Sequence, residues 1–148
     1  MPAINNPSNS FTIQKTKTEI FDAVKKIATA EKHKYSVANE DDLLNRISLR
    51  EAAVIGNNGY NIEFTLTKAS DNEFTVKIET SRERGALDTP TEIHNANYIL
   101  KEVTDKFSSY LSGNVNDKGV ANIPNRGTGC MLVLGVMLIV SLGLWYIL

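Results

Sequence analysis

Between residues 10 and 112 apolar and polar positions recur with two different periods. Ser10-Phe11-Thr12-Ile13-Gln14 alternates, which predicts a short first strand. Ile20, Phe21, Val24, Ile27 and Ala28 then return at helical spacing, behind a Thr16…Glu19 pair of the kind in which each side chain bonds the other residue's free backbone amide. A helix over 17–31 follows, with Lys25, Lys26 and Lys32 outward. Tyr35-Ser36-Val37 reads as a second strand, turned by Glu40-Asp41-Asp42. In 43–53, Ile47 and Leu49 alternate with Arg46, Ser48 and Arg50, predicting a third.

Asn57-Asn58-Gly59 supplies the positive backbone angles of a tight hairpin. Beyond it Tyr60, Ile62, Phe64 and Leu66 alternate with Asn61, Glu63, Thr65 and Thr67. After Ser70-Asp71-Asn72 the alternation resumes with Phe74, Val76 and Ile78 against Thr75, Lys77 and Glu79. Such regularity implies a sheet with one buried and one wet face. Thr89-Pro90-Thr91-Glu92 starts a second helix, whose apolar stripe is Ile93, Ala96, Leu100, Val103, Phe107, Tyr110 and Leu111, and Gly113 ends it.

The fold class expected is therefore α+β, in the order β-α-β-β-β-β-α, with both helices on one face of an antiparallel sheet. This order resembles small helix-grip domains of the START and Bet v 1 kind, and the repeat unit of TATA-binding-protein folds. The resemblance covers element order over residues 10–112, with no shared sequence motif, and implies architecture rather than activity.

The flanks differ. Residues 1–9 are polar and read as disordered. Residues 113–129, rich in Gly, Asn and Asp with Pro124, read as a flexible linker able to sample roughly 20 Å. All 16 Lys+Arg and 17 Asp+Glu lie before Cys130; residues 130–148 carry no charge, and 16 of these 19 are hydrophobic. At about 1.5 Å per residue they would extend roughly 28 Å, the thickness of a hydrocarbon core. Trp145 and Tyr146 fall where aromatic rings favour headgroups.

The expectation is a single-pass tail anchor in the lipid bilayer, the domain made first and left on the cytoplasmic side, with Lys118 and Arg126 before the span. Cys130 opens the span as a small apolar residue, and a cysteine in that position is also a substrate for S-palmitoylation. No Asn-x-Ser/Thr site with a permitted middle residue occurs, in keeping with a domain outside a glycosylating lumen.

Candidate chemistry is sparse. Net charge is −1, which argues against nucleic-acid binding by phosphate neutralisation. His33 and His94 lack partners at metal-ligand spacing, so no metal is expected. Glu40-Asp41-Asp42 lacks the spaced ligands of a calcium loop. No nucleophile turn or phosphate loop occurs, so the expectation is no cofactor and no enzyme.

Three residues stand out as binding candidates. Arg82 and Arg84 flank Glu83 near the positive end of the second helix, where an anionic headgroup or acidic partner would be favoured, unless the three side chains pair among themselves. Asn97 interrupts the apolar stripe and would need a partner such as a strand end.

The functional expectation is a membrane-tethered, non-enzymatic domain that binds another protein, as an accessory or assembly subunit of a membrane complex. The alternative is a lipid or small ligand in a groove between the second helix and the sheet. The large side chains Phe11, Phe21, Tyr60, Phe64, Phe74 and Phe107 make such a small-molecule ligand unfavoured by filling the interior.

Overall fold

The computed structural model describes residues 5–52, 59–83, 85, 87 and 89–123. Seven elements follow one another: β1 (Ser8–Ile13), α1 (Lys17–Ala30), β2 (Tyr35–Asp41), β3 (Arg46–Glu51), β4 (Tyr60–Ser70), β5 (Glu73–Arg82) and α2 (Pro90–Ser112). The strands form one antiparallel sheet in the order β1-β5-β4-β3-β2. Strands β2 to β5 are neighbours joined in sequence, while β1 closes the far edge against β5. The chain must therefore cross the whole sheet between β1 and β2. By its first turn α1 has reached the far edge, where Lys17 contacts Asp42 in the β2–β3 turn, and it then runs beside β2, with Lys25 paired to Glu40.

Both helices begin with the reciprocal capping expected. Thr16 accepts from the Glu19 amide while Glu19 accepts from the Thr16 amide, and Thr89 and Glu92 repeat the arrangement ahead of Pro90. α2 ends at Gly113, whose φ of 72° is the left-handed conformation that a residue without Cβ adopts freely.

Register explains which face is covered. Ile47, Phe64 and Ile78 lie side by side, as do Leu49, Ile62 and Thr80, and then Leu66, Val76 and Phe11. These rows point at the helices and are buried, apart from the half-buried Phe11. α1 adds Ile20, Phe21, Val24 and Ile27, and α2 adds Ala96, Ile99, Val103 and Phe107. The Phe107 ring lies 5.2 Å from that of Phe64 and 6.1 Å from that of Phe11, so the space beneath α2 is occupied by aromatic contacts. The alternate residues form the opposite face, in rows such as Arg46-Thr65-Lys77-Ser10 and Thr67-Thr75-Thr12.

Several boundaries differ from the sequence reading. The third strand begins at Arg46, not 43, because the Asp41 carboxylate accepts the Leu44 amide at 2.9 Å and Asn45 turns through φ 52°. β2 continues to Asp41. Residues 5–9, expected to be disordered, run beside β5, where Pro7 accepts the Thr80 amide and Asn6 donates to Glu79. Residues 113–123, expected as linker, close a loop on the end of α2. There Val115 bridges Ala121, Ser109 donates to the Asn122 carbonyl, and the Ala121 amide donates to the Tyr110 hydroxyl. Among the described residues no helix is long and apolar enough to cross a membrane. The expected span 130–148 with Cys130, and Arg84, lie outside the described residues.

Candidate functional site

Charged side chains meet beneath α2 where α1 ends, β2 begins and β3 ends. Glu102 and Lys106 stand one turn apart on α2, and Lys106 Nζ donates to Glu102 Oε1 at 2.6 Å. The same ammonium pairs with Glu31 at 2.5 Å, at the C-terminal cap of α1. Lys34 contacts both Glu102 oxygens at 2.8 Å and stands 3.9 Å from Glu51 Oε1 on β3. Tyr35 lies between the two ammoniums, 5.2 Å and 5.0 Å from its ring centroid, and its hydroxyl donates to Glu102 Oε1 at 3.3 Å.

Three carboxylates face two ammoniums, so the cluster is formally one negative charge in excess. Burial opposes the charge on Glu102, but hydrogen bonds from Lys106 and Lys34 outweigh it and hold that carboxyl below its usual range. Burial pushes Glu51 up, with Lys34 opposing and Glu102 adding to the shift. Its Oε2 atom is buried with no hydrogen-bond partner. Burial, then the nearby carboxylates, also raise the Tyr35 phenol. Chemically the cluster is a brace tying α1, β2, β3 and α2 together, with one carboxyl, Glu51, disposed to hold a proton. Thr80, fully buried on the same face of the sheet, also has an unpartnered hydroxyl.

The candidates read from sequence fall elsewhere. Arg82 pairs with Glu92, the capping residue of α2, and so braces the start of that helix. Glu83 pairs with Arg50 at 3.4 Å. Arg82 and Glu83 thus each pair with a residue of another element. Asn97 is exposed and donates to the Ile93 carbonyl at 2.9 Å, one turn back in its own helix. The expectation of a strand-end partner is corrected: position 97 points outward, and a residue there finds its nearest acceptor on the preceding turn. His94 is exposed, and among the described residues no group of three or more His, Cys, Asp or Glu is placed to hold a metal ion.

Sequence reading missed the cluster, although two signals were present. Lys106 sits three residues after Val103 and four before Tyr110, squarely on the apolar stripe. Glu51 continues the inward parity of Ile47 and Leu49. Two open clefts adjoin the helices. One lies among Gln14, Lys15, Thr16, Glu19, Asn72 and Glu73; the other lies beside Tyr35, among Lys25, Ala28, Thr29, Lys32 and Val37.

No family model and no curated protein matches the chain. Among solved structures it is similar to the Zhui aromatase/cyclase from Streptomyces sp. R1128, with 8% identity, TM-score 0.44, and coverage of 78% of this chain and 98% of that one. It is also similar to a protein from Thermus thermophilus, with 9% identity, TM-score 0.31, and coverage of 72% and 90%. The third is ginseng major latex-like protein 151 from Panax ginseng, with 4% identity, TM-score 0.30, and coverage of 68% and 96%. The expectation that the chain is not an enzyme is corrected here. An aromatase/cyclase is among these matches.

Proposed function

We propose that this chain is a membrane-tethered protein-binding domain, an accessory or assembly subunit of a membrane complex, carried on the cytoplasmic side by a single-pass anchor at 130–148. The observation that carries the reading is the run of 19 residues without a charge, long enough for a hydrocarbon core and too apolar for a domain of this size to cover. Two features of the fold support it. Phe107 of α2 packs against Phe64 and Phe11 of the sheet, and among the described residues no helix covers the opposite sheet face of Thr, Ser, Asn and charged side chains. Extraction from native membranes in mild detergent tests it. A stoichiometric protein partner is expected, and recovery of a lone monomer would defeat the reading.

A second reading, a small ligand between α2 and the sheet, is favoured by the unpartnered Glu51 Oε2 and Thr80 Oγ1 atoms on the inward face. Native mass spectrometry of the extracted chain distinguishes the two. A bound small molecule of constant mass supports this second reading, and the bare polypeptide mass dismisses it.

A further inference from the structure

The turn between β2 and β3 carries two side chains that the fold does not use. Leu43 is 94% exposed and Leu44 60% exposed, in a place where small polar residues are the usual occupants. The backbone beneath them is firmly fastened. The Leu44 amide donates to Asp41 Oδ1 at 2.9 Å, and the Leu66 amide donates to the Asn45 carbonyl at 2.9 Å. Lys17 reaches across from the start of α1 to the Asp42 carbonyl at 2.5 Å and its carboxylate at 2.8 Å. Two apolar side chains thus project from a tip whose backbone is already ordered, which lowers the entropy cost of docking it into something else.

From this we infer that the tip Asp41–Asn45 is the element that enters the protein partner, and that the partner offers an apolar socket with a basic rim; the inference rests on the protein-binding reading above. The rim follows from charge. Glu40, Asp41 and Asp42 immediately precede the leucines, and the Asp42 side chain is 81% exposed even with Lys17 beside it. Lys25 is engaged with Glu40 at 2.7 Å. An anionic lipid surface fits poorly, because seating Leu43 among headgroups would carry the Asp42 carboxylate with it. A second copy of the chain fits no better, since a symmetric contact would set acidic tip against acidic tip.

The test uses the full chain in native membranes. A photoreactive benzophenone side chain is placed at position 43, and in a control at Asn72 in the β4–β5 turn. In parallel, Leu43→Ser/Leu44→Ser is compared with the unaltered chain for the amount of partner recovered in mild detergent. The expected result is a light-dependent protein adduct from position 43 and not from 72, mapped to a partner peptide with Lys or Arg beside apolar residues. Recovery of the partner by the double variant is expected to fall about tenfold or more at unchanged circular dichroism. Recovery within twofold of the unaltered chain overturns the inference and leaves the protein-binding reading standing. An adduct with lipid, or with a second copy of the chain, also overturns it. If the unaltered chain recovers no partner, the reading beneath it fails first.

Discussion

Replacing Lys106 with Met tests whether the buried cluster is a brace. The Lys106 side chain is 6% exposed and contacts Glu31 and Glu102 at 2.5 and 2.6 Å. Orphaning a fully buried charge costs about 3–5 kcal/mol. Here Glu102 would keep its two contacts to Lys34, and Glu31, 22% exposed, would regain water. Met also retains most of the stem's packing. The expected loss is therefore lower, about 2–3 kcal/mol. At about 4 °C per kcal/mol for a domain of this size, the midpoint should fall by about 8–12 °C.

The assay is thermal unfolding of the full chain in mild detergent at pH 7, followed by near-ultraviolet circular dichroism. Lys106→Met combined with Glu102→Gln removes the charge left behind and should recover about 1 kcal/mol, a coupling that a double-mutant cycle reads directly. Hydrogen bonds from Lys106 and Lys34 hold the Glu102 carboxyl below its unfolded range. Its contribution is therefore present above the unfolded value and lost as pH falls through the folded one. Lys106→Met should shrink that acid-side dependence. A loss below about 0.5 kcal/mol, or a double variant as unstable as the sum of the singles, would refute the brace, because residues in one network couple by about 0.5–3 kcal/mol.

Two further outcomes follow from individual carboxyls. Burial raises Glu51 above its unfolded range, so the native state holds the proton more tightly and stability declines as pH rises through that range. Glu51→Gln should remove that decline and raise stability at pH 7 by about 1 kcal/mol; a destabilised variant in the same melts would contradict the placement of this carboxyl. Glu19 behaves oppositely. Hydrogen bonds from the Thr16 amide, Lys15 and the Thr16 hydroxyl lower it from 4.5 to about 2. Its contribution is complete above the unfolded value and is lost as pH falls toward about 2. Glu19→Gln should flatten the stability profile between these limits, and an NMR titration placing Glu19 near 4.5 would exclude the capping geometry.

Local chemistry was legible from residues alone. Thr16…Glu19 and Thr89-Pro90-Thr91-Glu92 start helices because a side chain three residues away satisfies a free amide whatever the rest of the fold does. The alternation of Tyr60, Ile62, Phe64 and Leu66 identifies a strand and its inward face because the side-chain period of an extended chain is two. Element order and the α+β class follow from adding such segments. Boundaries were less legible where one hydrogen bond decides them, as when Asp41 captures the Leu44 amide and turns 43–45 out of the third strand.

Tertiary structure alone decided which elements meet. That β1 pairs with β5 and not with β2 is a long-range choice, made only when the strands assemble into one sheet. That Glu31, Lys34, Tyr35, Glu51, Glu102 and Lys106 share one site depends on α1, β2, β3 and α2 converging, with Lys106 meeting Glu31 from 75 residues away. Lys106 on an apolar stripe and Glu51 at an inward strand position look, one at a time, like breaks in a pattern. Periodicity says which way a side chain points, because that is set by its own backbone. It cannot say what waits there, because the opposing charge belongs to a different element.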